Sequence, residues 1–261
     1  WNERDRMVVS CGHLSPAVYS TLGLMNYFSL EDAISQFRVY GSIFEGHIER
    51  DVPGVEWSTG NLGQGLSAAI GFAMASRIHG IDNYTYVLMG DGEQQKGQLS
   101  EARRFAAKYK LHKIIAVVDY NQLQISGSIH DVMPQNIRKN WESDGWQVLE
   151  VNGHDVSLIL STLDAARQAD APVMILAHTV MGKGVSFMEN KAKYHGSTLN
   201  DEHCLNALGE LDVPSKLDQY RKAREAYQKN KQVHPTPDFT PKFELQPGKP
   251  MLYTSDSDCR S

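Results

Sequence analysis

Four nearly continuous apolar stretches constrain the fold more than any other feature of this sequence. They cover Thr85 to Met89, Lys113 to Asp119, Trp146 to Val151 and Pro172 to Thr179. A strand that is covered on both faces is apolar almost throughout, whereas a strand with one wet face alternates apolar and polar residues. The four stretches therefore predict buried strands of a mostly parallel sheet. A further strand is predicted at Met7 to Ser10.

Segments with helical patterning separate the predicted strands. Residues 65–76 are small and apolar on nearly every face, whereas residues 98–109 and 156–168 are amphipathic. Alternating strands and helices predict an α/β fold, a doubly wound and mostly parallel sheet flanked by helices. In such folds ligands bind beyond the carboxyl ends of the strands.

The composition changes after about residue 211. Residues 216–231 are charged and predict a helix, and residues 235–250 hold five of the ten prolines. Proline-rich segments are typical of linkers. We therefore predict a ligand-binding domain over residues 1–210, and over residues 211–261 a charged helix and a linker towards a further domain.

Charge and cysteine content exclude several classes of protein. The net charge is −5 and no dense block of Lys and Arg occurs, which argues against nucleic acid as a partner. The apolar runs are too short to span a bilayer, and residues 1–6 do not resemble a signal peptide. Cys11, Cys204 and Cys259 are odd in number and widely spaced, so they predict neither a disulfide framework nor a zinc site. We expect a soluble, cytoplasmic protein without a membrane partner.

Polar residues follow two of the predicted strands. Asp91 lies between Gly90 and Gly92 at the end of one strand, and Asn121 follows the next. Glycines allow a backbone to approach an anion closely. Carboxylate and amide oxygens, with a backbone carbonyl and a diphosphate, would complete an octahedral Mg²⁺ site or a looser Ca²⁺ site. Gly-Asp-Gly is also a common turn, so the metal hypothesis depends on the second strand end.

A second glycine cluster, Thr59 to Gly65, leads directly into the small apolar helix. Its amides and the helix N-terminus could bind the same diphosphate. It fits a dinucleotide fingerprint poorly, because the glycine order differs and Pro53 interrupts the preceding segment.

The two strand ends together resemble the thiamine-diphosphate motif. "GDGEQQKGQLSEA" is followed by "IIAVVDYNQLQISG", with 28 residues between Gly92 and Asn121. The stretches "VVSCGHLSPAVYSTL", "GHIERDVPGVEWSTGNLGQGLSAAIGFAMA" and "VMGKGVSFMENKAKYHG" are similar to successive motifs of transketolases, in family order over roughly residues 5–200. The resemblance implies the diphosphate-binding (PP) domain of a transketolase, or the N-terminal subunit of a split transketolase.

The resemblance also implies roles for individual residues. The metal, Mg²⁺ or Ca²⁺, is expected on Asp91, on the side chain of Asn121 and on the backbone carbonyl of Leu123. Thiamine diphosphate is expected to contact Gly60, Leu62, Gly63, Gly90, Asp91, Gly92, Glu101, Asn121 and His195. His13, His47 and His195 match catalytic histidines near the cofactor and the donor sugar. Neutral imidazoles suit proton exchange with hydroxyl groups.

The implied activity is transfer of a two-carbon ketol unit between phosphorylated ketose and aldose sugars, as in the pentose phosphate pathway. The thiazolium ring of the cofactor supplies the carbon–carbon chemistry, and the protein orients the reactants. A pyrimidine-binding domain, in a separate chain or in another part of the same chain, is expected as a partner in a homodimer or heterotetramer, since such cofactors bind between subunits. The alternatives are 1-deoxyxylulose-5-phosphate synthase, a 2-oxo acid decarboxylating component, or a non-catalytic PP-like assembly subunit.

The sequence departs from the family at Lys96, where a glutamate is common. In the family that glutamate joins a carboxylate network with the residue that matches Glu101. A buried charge without a partner costs about 3 to 5 kcal/mol, so Lys96 is expected to be exposed or to face an acidic group. The upstream histidine segment and the pyrimidine-binding domain are not in this sequence, so we expect no complete active site from this chain alone.

Overall fold

The computed structural model describes residues 3–230 of the 261-residue chain, and within them a five-stranded parallel sheet in the order β1-β2-β3-β7-β6. The strands are β1 Arg6–Val9, β2 Thr85–Gly90, β3 Ile114–Tyr120, β6 Gln147–Asn152 and β7 Val173–His178, and a small antiparallel hairpin joins β4 Leu123–Gln124 to β5 Gly127–Ser128. All five predicted strands are confirmed to within one residue at each end.

Helices connect the strands, and further helices come after the last strand in the sequence. They are α1 Ser15–Leu24, α2 Leu30–Gln36, α3 Gln64–Ile78, α4 Gly97–Lys108, α5 Ile129–Val132, α6 Ile137–Ser143, α7 Val156–Arg167, α8 Asp201–Glu210 and α9 Leu217–Asn230. The helices predicted at 65–76, 98–109 and 156–168 correspond to α3, α4 and α7. The predicted helix 216–231 corresponds to α9, and its last residue, the proline-rich segment 235–250 and Cys259 lie outside the described residues.

The sheet is covered on both faces, as the continuous apolar strands predict. Ile114, Ala116 and Val118 of β3 pack with residues of α3 and α4 on one face. Ile115 and its neighbour Val117 pack on the other face with residues of α7. Burying each large aliphatic side chain stabilises the fold by about 1.5 to 3 kcal/mol. The predicted doubly wound arrangement is therefore confirmed.

Strand register brings the carboxyl ends together at one edge of the sheet. Gly90 pairs with Asp119, and Tyr120 pairs with His178. From β3 the chain crosses to the outer strand β6 and returns between them as β7. The loops that follow β1, β2, β3 and β7 consequently open at the same edge, where ligands of such sheets bind.

The described residues up to Lys229 form one compact unit. Its end at residue 229 lies beyond the boundary predicted at residue 210, because α9 is held by hydrogen bonds from Arg224 to the carbonyl oxygen of Phe37 and from Gln219 to Glu31. The assignment of the two predicted parts to domains stays a prediction. Among the described residues, no helix has the length and apolar character needed to cross a membrane.

Candidate cofactor and substrate site

The carboxylate of Asp91 lies at the end of β2 and is 3% exposed. It accepts a hydrogen bond from the backbone N–H of Gln122, which ties the end of β2 to the loop after β3. Burial raises the pKa of Asp91 to about 6, although backbone N–H groups of Gln122, Gly92 and Asn121 act in the opposite direction. The two strand ends that the sequence singled out therefore do meet.

Asn121 and Leu123 form the second half of this cluster. The Oδ1 atom of Asn121 accepts from the backbone N–H of Leu123 at 2.9 Å, and Gln122 between them has a left-handed backbone, with φ at 64°. Asp119 accepts from Asn121 and from the hydroxyl of Thr179, so β7 also reaches this cluster.

These residues fit a divalent cation and a diphosphate. No group of three or more His, Cys, Asp or Glu side chains suited to a metal occurs in the described part of the chain, so a cation here would depend on amide and carbonyl oxygens beside Asp91. Such oxygens are what Mg²⁺ and Ca²⁺ prefer. A Cβ atom added to Gly90 would meet no atom within 4 Å, so the end of β2 opens into free space.

Sequence reasoning missed Glu93, which is 2% exposed and lies in the turn after β2. It accepts hydrogen bonds from the N–H of Gly63 at 2.8 Å, the hydroxyl of Ser10 at 3.0 Å and the N–H of Gly90 at 3.2 Å. Burial raises the pKa of Glu93 to about 7 despite these donors. An acidic residue directly after Gly-Asp-Gly is the signal that could have drawn notice, but the sequence does not reveal its burial.

Several N–H groups of the glycine cluster Thr59 to Gly65, called the glycine loop below, form hydrogen bonds inside the protein. Gly63 donates to Glu93, and Gly65 donates to the hydroxyl of Ser10 at 3.1 Å. Within residues 3–230 the N–H groups of Gly60, Asn61 and Leu62 make no hydrogen bond. The loop amides that remain free for an anion are therefore those of Gly60, Asn61 and Leu62, whereas the N–H of Gly63 is used inside the protein.

The three candidate histidines converge although they come from distant segments. The ring centroids of His13 and His195 are 5.7 Å apart. His47 lies beside the glycine loop, since a Cβ atom on Gly60 would be 3.6 Å from its Cδ2 atom. Burial lowers the pKa of His13, and the neighbouring imidazoles of His195 and His47 lower it further. Burial also lowers the pKa of His195. Both rings are therefore predominantly neutral at pH 7.

One exposed apolar side chain accompanies the histidines. Ile125, in the hairpin after Asn121, is 75% exposed and lies 3.6 Å from the Cβ position of Gly196. Sequence reasoning also missed this residue, which gives the mouth of the site an apolar edge.

Glu101 and Lys96 lie on the outer side of this region. Glu101 is exposed on α4 and lines a groove of about 520 Å³ against α3. Lys96 is exposed, and its stem packs on the glycine loop, because a Cβ atom on Gly63 would lie 2.9 Å from that of Lys96. Neither side chain forms an ion pair among residues 3–230. Of the two expectations for Lys96, exposure is the one found.

Comparison with known proteins decides the family. The family described as "Transketolase, thiamine diphosphate binding domain" matches residues 1–232. The chain belongs to the transketolase family. The cofactor-binding part of a transketolase is thus the part that this chain represents.

The proteins that resemble the chain include transketolase subunits and transketolases. An apulose-4-phosphate transketolase subunit of Phocaeicola vulgatus is 42% identical over 80% of this chain and 75% of that protein. The 6-deoxy-6-sulfo-D-fructose transketolase subunit SqwG of Clostridium sp. is 39% identical over 81% of this chain and 78% of that protein. The transketolase structure from Campylobacter jejuni superposes with a TM-score of 0.78 and 33% identity over 88% of this chain. The chain spans only 39% of that transketolase.

Proposed function

We propose that the chain is the cofactor-binding part of a transketolase that moves a two-carbon ketol unit from a phosphorylated ketose to an aldose. The observation that carries the proposal is the meeting of Asp91 and Asn121 at neighbouring strand ends, beside three converging histidines. Thiamine diphosphate, when bound, supplies the chemistry that breaks and forms the carbon–carbon bond.

The residues of the chain would divide the work. Asp91, the amide oxygen of Asn121 and the carbonyl oxygen of Leu123 would hold Mg²⁺ or Ca²⁺, and the N–H groups of Gly60 and Leu62 would face the diphosphate. Gly90 and Gly92 would leave room for its close approach.

The histidines would handle the sugar. The pKa values of His13 and His195 are lowered, so both rings are neutral near pH 7 and can accept a proton from a hydroxyl group. In the proposal His47 contacts hydroxyl groups of the donor, and His195 serves both cofactor and substrate. A neutral ring can exchange protons with hydroxyl groups without first losing one to solvent.

A second subunit is part of the proposal. The chain covers three quarters or more of two split-transketolase subunits, which supports a pyrimidine-binding domain in a separate chain. Glu101 and Lys96 would then lie near that partner in a homodimer or heterotetramer. A cytoplasmic location and use of sugar phosphates of the pentose phosphate pathway belong to the same proposal.

Calorimetry on the assembled protein tests the cofactor site. Thiamine diphosphate with Mg²⁺ should bind the wild type, and Asp91→Ala and Asn121→Ala should each weaken binding by about 100-fold or more. Glu142→Ala, an exposed carboxylate on α6, is the control and should bind as the wild type does. Unchanged affinity in the two site variants would contradict the site.

A donor assay separates transketolase from its alternatives. Xylulose 5-phosphate should serve as donor with an aldose acceptor, and apulose 4-phosphate and 6-deoxy-6-sulfofructose are worth including because similar subunits carry those names. Turnover of pyruvate alone would favour 1-deoxyxylulose-5-phosphate synthase or a 2-oxo acid decarboxylating component. Activity that depends on His47 and His195 would exclude a non-catalytic role in assembly.

A further inference from the structure

Glu93 joins three segments that are distant in the sequence. Its Oε2 atom accepts from the hydroxyl of Ser10 at the end of β1 and from the N–H of Gly63 in the glycine loop, and its Oε1 atom accepts from the N–H of Gly90 at the end of β2. The side chain is buried and lies at the candidate site without being a predicted ligand of metal or cofactor. Its three partners are all donors, so one carboxylate accepts hydrogen bonds from a buried hydroxyl and two backbone N–H groups.

Ser10 connects Glu93 to the start of α3 through hydrogen bonds. Its hydroxyl donates to Glu93 and accepts from the N–H of Gly65, while its backbone N–H donates to the carbonyl oxygen of Leu88 at 2.8 Å. Ser10 is 0% exposed, so water cannot replace Glu93 as its partner. The first turn of α3 is thereby fixed to the end of β1 through the hydroxyl of Ser10, which the Glu93 carboxylate orients.

Steric contacts hold the glycine loop from its other sides. A Cβ atom on Gly65 would lie 2.4 Å from the Cβ atom of Ser10, and one on Gly63 would lie 2.9 Å from that of Lys96. The loop therefore lies between the Glu93 carboxylate on the inside and the stem of Lys96 on the outside. Contacts within the chain therefore fix the position of the loop without a ligand.

We propose that Glu93 and Ser10 are a positioning pair, which holds the glycine loop in its binding conformation before any ligand arrives. Because the N–H groups of Gly63 and Gly65 bond inside the protein, the free N–H groups of Gly60, Asn61 and Leu62 are left for a diphosphate. The identity of that ligand rests on the proposed function, whereas the ordering of the loop does not. Such preorganisation lowers the entropy lost on binding.

Amide hydrogen exchange on the full chain without cofactor tests the ordering of the loop. Glu93→Ala should accelerate exchange at Gly63 by about 10-fold, because that amide loses its acceptor. The effect at Gly65 should be smaller, because its acceptor, the hydroxyl of Ser10, remains and loses only its own hydrogen bond to Glu93. Ser10→Ala should act mainly at Gly65. Thr85→Val is the matched control, since Thr85 is a buried polar residue at the opposite end of β2, and it should leave the loop amides unchanged.

The assembled enzyme supplies a second readout. Glu93→Ala should raise the thiamine-diphosphate concentration for half-maximal activity by about 10-fold and leave kcat at saturation within about 2-fold, as expected of a residue that acts through the loop. Glu93→Gln should fall between wild type and Glu93→Ala, because its amide oxygen still accepts from Gly63 whereas its NH₂ group opposes the N–H of Gly90.

Exchange at the wild-type rate at Gly63 in Glu93→Ala and at Gly65 in Ser10→Ala would overturn the proposal, as would a fall in kcat with an unchanged half-saturating concentration. If Glu93→Ala does not fold, exchange at Gly65 in Ser10→Ala decides the question. If the wild type does not bind thiamine diphosphate, the proposed function fails, and the exchange rates still decide whether Glu93 and Ser10 order the loop.

Discussion

The two ends of β2 hold buried polar groups in different ways. At the carboxyl end, Asp91 and Glu93 are almost fully buried carboxylates, and hydrogen-bond donors from neighbouring segments surround both. At the amino end, the hydroxyl of Thr85 and the Oδ1 atom of Asn83 are buried without a partner among residues 3–230.

Different forces also hold the two ends. Near the amino end, the guanidinium of Arg167 lies 4.9 Å from the ring centroid of Tyr84 and donates to the hydroxyl of Tyr86 and to Asp5. At the carboxyl end the buried groups are instead the carboxylates of Asp91 and Glu93, and a buried charge is costly unless hydrogen-bond donors surround it. Changes to the buried carboxylates at the carboxyl end should therefore affect ligand binding more than folding, and changes at the amino end the reverse.

Asp91→Asn should have the largest effect on binding. It should weaken thiamine-diphosphate and Mg²⁺ binding by about 100-fold. The melting temperature without ligands should stay the same or rise, because the change removes a buried charge and keeps an acceptor for the N–H of Gln122. Calorimetry and thermal unfolding measure the two quantities, and a large fall in both would break the comparison.

Gly65→Ala should be the largest change in stability at the carboxyl end. The added Cβ atom would overlap the Cβ atom of Ser10, so α3 must move away from β1 at a cost of about 1 to 3 kcal/mol. Gly71→Ala in the same helix is the control. A Cβ atom there meets nothing within 4 Å, so urea unfolding should show a gain of about 0.5 to 1 kcal/mol. Equal losses in the two variants would show that overlap with Ser10 is not the cause.

Arg167→Ala should lower the free energy of unfolding by about 1 kcal/mol, since it removes the stacked cation and its hydrogen bonds at a partly exposed position. Affinity for thiamine diphosphate should not change. Arg138→Ala, whose ion pairs lie on the surface, should cost less than Arg167→Ala in the same unfolding experiment. Weaker cofactor binding in Arg167→Ala would mean that the two ends of the sheet are coupled.

Thr85→Val should give the smallest effect, a gain of up to about 1 kcal/mol in the free energy of unfolding. The change replaces a buried hydroxyl that has no partner by a methyl group of similar size. Urea unfolding of the chain measures it. A loss in stability would reveal a partner for the hydroxyl and would make the two ends of β2 more alike.

The sequence predicts the sheet well because strands that are buried on both faces are apolar at nearly every position. Gly90 and Gly92 likewise mark the turn around Asp91, since glycines after an apolar run are visible without coordinates. These features depend on neighbours in the sequence, and local patterns are what a single sequence displays.

The contacts of Glu93 could not be predicted in this way. Ser10 is 83 positions away from it and Gly63 is 30 positions away. The pairing of β1 with β2 brings Ser10 to Glu93, and the packing of the start of α3 against Ser10 brings Gly63. The approach of His13 to His195 depends on the same long-range topology, and the sequence suggested it only through family resemblance. Whether the ammonium group of Lys96 is exposed also follows from the packing of its stem on the glycine loop, which no local pattern encodes.

The buried ring of Trp141 has a practical consequence. Its indole N–H donates to Gln94 at 2.9 Å, and the amide of Gln94 donates to the carbonyl oxygen of Gly90 at 3.0 Å. Two hydrogen bonds thus link a fully buried fluorophore to the strand end at the candidate metal site. The chain carries its own optical reporter, and a shift in tryptophan emission on adding Mg²⁺ and thiamine diphosphate would follow occupation of that strand end without a label.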